Sequence, residues 1–252
     1  MVKRDELIEY LDTYLKVAEI EDISNNGLQV EGDQEVEKVA FAVDACREAF
    51  RRAGESGAQM VIAHHGLFWG KPLMIREIHR ERIALLLKDD ISLYATHLPL
   101  DIHPQVGNNV QLLQLLGLSP EEQRFGEYHG SLLGVMGRFP EPVAREKVVG
   151  RLEEALDIPM TVLPFGPREV TTVGIVSGGA ADLAIQAGEA GVDLYLTGEP
   201  SHSLYHQVAE RGLNVVYGGH YATETLGLKA LAAHLSERFS LKTEFLHIPT
   251  GF

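Results

Sequence analysis

The chain is poor in the features that would open several large classes of protein. It has a single cysteine, Cys46, among 252 residues, which excludes an internal disulfide and a thiolate metal cluster. No apolar stretch approaches the ~20 residues needed to cross a bilayer. The start, Met1-Val2-Lys3-Arg4-Asp5-Glu6, lacks the apolar segment of a secretory signal. With so little cysteine, a cytoplasmic location is the expectation. Basic residues are scarce as well: 22 Lys and Arg stand against 36 Asp and Glu, a formal net charge of −14. Such a chain repels a phosphate backbone unless it carries a local basic patch. Apart from Arg51-Arg52 and the spaced Arg76, Arg80 and Arg82 no such patch is visible, so neither nucleic acid nor a membrane is an expected partner.

What is present is an alternation of apolar runs and amphipathic stretches. Residues 5–18 predict a helix, with Leu7, Ile8, Leu11 and Leu15 on one face and Asp5 as its N-cap. A first series of strands is expected at 38–44, 59–63 and 91–95, with helices at 45–53, 75–88 and 107–116. A second series places strands at 131–138, 170–176, 193–197, 213–217 and 242–248, with helices at 143–156, 180–190, 201–211 and 222–238. Strands alternating with helices imply βαβ units and mainly parallel sheets. A shift of 134 residues lays Val39–Val43 on Val173–Ser177 and Met60-Val61-Ile62 on Leu194-Tyr195-Leu196; a shift of 123 lays His97 on His220 and Asp101 on Glu224. The expected fold is therefore α/β, as two linked, duplicated domains. Residues 1–125 would form the first, completed by about 225–252, and 126–224 the second.

Chemistry gathers at the strand ends. Met60-Val61-Ile62-Ala63 runs into His64-His65-Gly66; Tyr94-Ala95-Thr96 runs into His97, with Asp101 beyond; Tyr217-Gly218-Gly219 runs into His220, with Glu224 beyond. In open α/β sheets ligands collect outside the carboxyl ends of strands, and two facing repeats would bring these ends into one cleft. Imidazoles with carboxylates make a mixed nitrogen and oxygen donor set, suited to zinc, manganese, iron or nickel. Pro99 argues for a loop between His97 and Asp101, whereas His220 and Glu224 fall at the first turn of a helix, where positions four apart share a face. The alternative is a set of scattered histidines in an ordinary α/β core; the bland reading applies to His79, His103, His129, His234 and His247. His202 and His206, four apart, are candidate cleft residues. Ser177-Gly178-Gly179 before a helix is either an anion-binding turn or simply a tight one.

Taken together, His64-His65-Gly66, Tyr94 to Asp101, Gly107-Asn108-Asn109, Thr197-Gly198-Glu199, Gly219 to Glu224 and Asn26 to Val30 resemble the GTP cyclohydrolase 1 type 2 homologue family, in its short form, in order and over essentially the whole chain. The resemblance implies two linked α/β domains assembled as toroidal homohexamers, with two divalent metal ions per subunit. It assigns the metal ligands to His64, His65, Asp101, His220 and Glu224, with Asp101, Glu224 or both as bridges. His97 becomes a neighbouring group that orients a ligand or moves a proton, so His97 and Glu224 are the catalytic candidates. The family name implies hydrolytic opening of the GTP purine ring. The broader expectation is a metal-dependent hydrolase acting on a nucleotide or phosphorylated metabolite; the competing one is a metal-handling or scaffold protein without turnover. On either, Cys46→Ala should leave metal content unchanged by elemental analysis; loss of an ion would overturn the nitrogen and oxygen donor set.

Overall fold

The computed structural model describes all 252 residues. In chain order the elements are β1 Val2–Lys3, α1 Arg4–Tyr14, β2 Gly27–Val30, β3 Glu35–Val36, β4 Lys38–Asp44, α2 Arg47–Glu55, β5 Met60–His65, α3 Glu77–Lys88, β6 Ser92–Ala95, α4 Leu98–Asp101 and α5 Asn108–Leu115. There follow β7 Arg124–Tyr128, β8 Ser131–Ala144, α6 Arg145–Leu156, β9 Thr161–Pro164, β10 Glu169–Ile175, α7 Ala184–Glu189, β11 Leu194–Thr197, α8 Tyr205–Arg211, β12 Asn214–Tyr217, α9 His220–Thr223, α10 Thr225–Phe239 and β13 Lys242–Phe245. No helix is long and apolar enough to cross a membrane. The chain forms two compact units, Met1–Leu100 with Leu228–Ile248, and Asp101–Gly227 with Pro249–Phe252.

The first unit is built on a five-stranded sheet in the order β13-β4-β5-β6-β2. Its β13–β4, β4–β5 and β5–β6 pairings are parallel, and β2 closes the edge antiparallel to β6. The central strands are apolar almost throughout, as expected where both faces of a parallel sheet are covered: Val39 to Val43 and Met60 to Ala63 are all buried. Alternate residues Ala40, Ala42, Val61 and Ala63 pack with Ala49, Phe50 and Ala53 of α2 and Leu86 of α3 in one cluster. The small alanines on the sheet leave room for the Phe50 ring.

The second unit holds a six-stranded sheet, β7-β8-β10-β11-β12-β9. Only β10–β11 and β11–β12 are parallel; β7–β8, β8–β10 and β12–β9 are antiparallel. This corrects the expectation of mainly parallel sheets for this half. One cause is local. β7 and β8 are joined by His129 and Gly130, both at positive φ (47° and 78°), the geometry of a two-residue hairpin turn matched to strand twist. Its core joins Leu112 and Leu113 of α5, Val148 and Leu152 of α6, and Val173, Ile175, Leu194, Leu196 and Val216 of the sheet. Thus α5, grouped by sequence with the first domain, packs in the second unit.

The two parallel runs have matching pairing. Val39 lies opposite Met60, and Val173 opposite Leu194, so one displacement of 134 residues relates both strands of each pair. Met60 pairs with Ser92 and Leu194 with Asn214. The third strands are therefore displaced by 122 and the histidines beyond them by 123, the second run holding one more residue before its histidine.

Some boundaries differ from expectation. α1 begins at Arg4 after Lys3, not after Asp5. α2 begins only after Cys46, whose Sγ accepts from the Ala49 N–H as the helix N-cap. Pro99 sits inside α4, where Leu100 N–H donates to the His97 carbonyl at 2.9 Å; in a first turn the missing proline N–H has no partner to lose. The loop expected between His97 and Asp101 is this single turn.

Phe50 is fully buried in the α2 cluster. Phe50→Ala is expected to cost about 3–5 kcal/mol in denaturant unfolding; a loss under about 1 kcal/mol would mean that α2 does not pack as described.

Candidate metal centre

In the first unit the carboxyl edge of the parallel run carries three imidazoles. His64 and His65 end β5, and His97 follows β6 by one residue beyond Thr96. Ring centroids lie 4.7 Å apart for His64 and His65, 5.1 Å for His64 and His97 and 5.7 Å for His65 and His97. A ring nitrogen of each of these three lies within 4.8 Å of the others, a grouping able to hold a metal ion.

Each ring has its Nδ1 engaged by an oxygen. His64 Nδ1–H donates to the Thr96 carbonyl at 2.9 Å, and His65 Nδ1 lies 2.9 Å from Asp44 Oδ1. That second contact follows from sheet register, because Asp44 and His65 are direct partners across β4 and β5. His97 Nδ1 lies 3.0 Å from both Asp22 oxygens. An acceptor at Nδ1 fixes the tautomer and turns Nε2 into the donor atom offered to a metal or proton. Gly66 after the pair is required by space: a Cβ there would come within 2.6 Å of Gln29 and Ala95. Trp69 packs edge-on against His97, centroids 5.1 Å apart.

The second unit has carboxylates and one imidazole of its own. Asp101, His220 and Glu224 come from the ends of α4 and α9. His220 Nε2 is 3.1 Å from Glu224 Oε2 and its Nδ1 is 2.7 Å from Glu199 Oε1, so the expected sharing of a helical face is what the structure has. A nitrogen and a carboxylate oxygen this close need a proton or a cation between them. Asp101 Oδ1 accepts from Asn108 Nδ2 at 2.8 Å. Ser177 Oγ is 3.0 Å from that Asp101 oxygen and 2.9 Å from Asn109 Oδ1, its one proton serving one acceptor at a time. Asn108 and Asn109 are fully buried; Asn108 Oδ1 accepts the Gly227 N–H and Asn109 Oδ1 the Ser177 N–H, each at 2.7 Å.

Gly178, at φ +67°, makes room for the His220 and Glu224 pair: a Cβ there would lie 2.2 Å from Glu224 Oε1. Two amides of the same turn are committed internally. Gly178 N–H donates to Thr223 Oγ1 and Ala180 N–H to Thr197 Oγ1, which favours the tight-turn reading over anion binding. His202 and His206 are exposed, in a short 3-10 turn and in α8 respectively, and neither joins these groups. His103 is buried, its Nδ1 accepting the Gln105 and Val106 amides, a structural role as expected.

Sequence reasoning missed Asp22, and passed over Asp44 and Glu199 as anchors. The latter two sit at strand ends, where a search for acceptors beside the histidines would have found them. Asp22 lies in a loop with no periodic signal. Burial would raise its carboxyl, but hydrogen bonding and charge from His97, with hydrogen bonds from Asn26 and the Ser24 N–H, prevail and hold it at about 2.

A family model described as Duf34/NIF3 (NGG1p interacting factor 3) matches residues 2–250. A Pyrococcus abyssi protein named GTP cyclohydrolase 1 type 2 homolog is 44% identical over 251 residues, 99% of this chain and 100% of the relative. A protein of the same name from Archaeoglobus fulgidus is 45% identical over 246 residues, 98% of each chain. A crystal structure of a Thermus thermophilus protein aligns with a TM-score of 0.90 at 45% identity, covering 100% of both chains.

Gly178→Ala should weaken metal uptake at least tenfold, the scale of an altered supporting shell. Gly117→Ala serves as its control: φ is +74° there but nothing lies within 4 Å of the added carbon, so it carries the left-handed strain alone. Equal metal affinity in both variants would contradict the cradle. The depressed Asp22 carboxyl contributes stability that is complete above the ordinary carboxylate value of ~3.9 and fades as pH falls toward about 2. Across that window the parent should lose stability more steeply than Asp22→Asn; parallel curves from acid titration of the unfolding midpoint would contradict it.

Proposed function

The chain belongs to the Duf34/NIF3 family, and on that premise we propose that it is a metal-dependent hydrolase built around a pair of divalent ions and acting on a nucleotide or phosphorylated metabolite. In this reading His64 and His65 of the first unit and Asp101, His220 and Glu224 of the second are the ligands, in a cleft between two duplicated α/β domains. The matching strand register of the two parallel runs supports the duplication.

The observation that carries the proposal is the fixed orientation of the imidazoles. His64, His65 and His220 each have Nδ1 held by a protein oxygen at 2.7–2.9 Å. That arrangement costs ordering entropy and desolvation, and it makes sense where Nε2 has a cation to meet. The two groups are also complementary: the first is rich in nitrogen, and the second brings the carboxylates able to bridge. Zinc, iron, manganese and nickel all suit such a set.

A bound pair of ions would supply Lewis-acid stabilisation and an activated water. The protein's own part is then positional. Glu199 and Asp44 hold His220 and His65 in place, Asn108 and Ser177 hold Asp101, and His97 is the candidate for accepting or returning a proton at Nε2. The relatives' name, GTP cyclohydrolase 1 type 2 homolog, makes GTP the first substrate to try. The second reading, metal handling without turnover, is favoured by one finding: the amides of Gly178 and Ala180 are already committed, so that turn offers no ready phosphate cradle. The expected assembly is a toroidal homohexamer in the cytoplasm.

The test is formate release from GTP by metal-loaded protein. Glu224→Gln should abolish both turnover and full metal content. His97→Ala should lower kcat about 10²–10⁴-fold, the range for a lost acid–base group, with metal content unchanged; equal losses of metal and turnover would make His97 a ligand instead. Metal-replete protein that releases no formate from GTP, and hydrolyses no other nucleotide or phosphate ester, would favour the second reading.

A further inference from the structure

His97 is gripped by a segment remote in sequence. The Asp22 side chain is 1% exposed, against 18% for His97. Its carboxylate lies 3.0 Å from His97 Nδ1 through both oxygens and accepts the Leu98 N–H at Oδ2, also at 3.0 Å. It accepts as well from the Ser24 N–H at 3.0 Å and from Asn26 Nδ2 at 2.9 Å. Asn26 in turn accepts the His97 backbone N–H at Oδ1, 2.8 Å away. Ring and backbone of His97 are thus both held by the Asp22–Asn26 segment, while Trp69 packs against the ring's side.

This is more than a loop anchor needs. Tying the loop to the end of β6 would be achieved by the Asn26 contact to His97 N–H and the Asp22 contact to Leu98 N–H alone. A buried carboxylate directed at Nδ1 also determines which nitrogen carries the proton and resists rotation of the ring. It is the arrangement by which carboxylates orient the base in hydrolytic dyads and triads. The nitrogen left to face the other way is Nε2, in the ring beside His64 and His65.

We infer that Asp22, assisted by Asn26, is the positioning residue of this centre: it sets His97 as the Nδ1–H tautomer and presents Nε2 as the proton acceptor beside His64 and His65. The chemical consequence rests on the hydrolytic reading above; the positioning does not. In the reaction the proton leaves the attacking water for His97 Nε2 and returns from it to the leaving group, Asp22 staying ionised throughout.

Two measurements on the full chain test this. In a crystal structure of Asp22→Ala the His97 ring should turn from its place while His64 and His65 stay; an unmoved ring overturns the positioning whatever the activity. In metal-loaded protein with GTP as probe, Asp22→Asn should lower kcat at least tenfold with KM and metal content within about twofold of the parent. The Asp22→Asn/His97→Ala double variant should then be no slower than His97→Ala, because residues acting as one unit are not additive. A fully additive double variant, or metal lost in step with activity, would overturn the proposal and reduce Asp22 to a support of the fold. A parent without turnover would defeat the hydrolytic reading and the proton-transfer role with it, the crystal structure still deciding the positioning.

Discussion

An imidazole can offer one nitrogen reliably to a cation only if something holds the other, and much of the geometry here serves that constraint. The acceptors come from three different sources. Asp44 is delivered by strand register, as the direct partner of His65. The Thr96 carbonyl comes from the exit of the next strand, and Glu199 from the turn after β11. A slip of one residue in the β4–β5 register would send Asp44 to the opposite face. The apolar core that fixes the register, with Val39 to Val43 and Met60 to Ala63 buried, therefore also fixes the chemistry at its edge.

The second unit meets a different difficulty. Asp101 and Glu224 are buried, and ionised carboxylates removed from water are costly unless compensated. Asp101 is compensated by Asn108 and Ser177, themselves held by Gly227 and Asn109 through fully buried amides. Glu224 has His220 at 3.1 Å and a backbone brought close by Gly178. Buried polar groups gather at or near these strand ends, among them His64, Thr96, Ser177, Thr197, Thr223 and Glu224, whereas the non-glycine residues at positive φ lie elsewhere in the chain.

The parallel strands were legible because buried strands read as apolar runs, and the histidines at their ends because few other chemical groups interrupt those runs. The pairing of His220 with Glu224 followed from helical spacing. The antiparallel flank of the second sheet was not legible: β7 is short, and its turn is His129-Gly130, without the asparagine or aspartate that usually marks such hairpins. Pro99 disfavours a helical conformation at the residue before it, yet proline is tolerated in a first turn, and the turn Leu98–Asp101 forms all the same. Asp22 could not be found at all from local pattern, since its role depends on a contact with His97 across 75 positions of sequence.

The most direct test of the account is anomalous X-ray diffraction at the metal absorption edges, from protein purified without added metal or chelator. A dinuclear centre should give two peaks per chain, bounded by Nε2 of His64, His65 and His220 and the carboxylates of Asp101 and Glu224. Peaks on other residues, or none after loading with zinc, iron, manganese and nickel in turn, would contradict it.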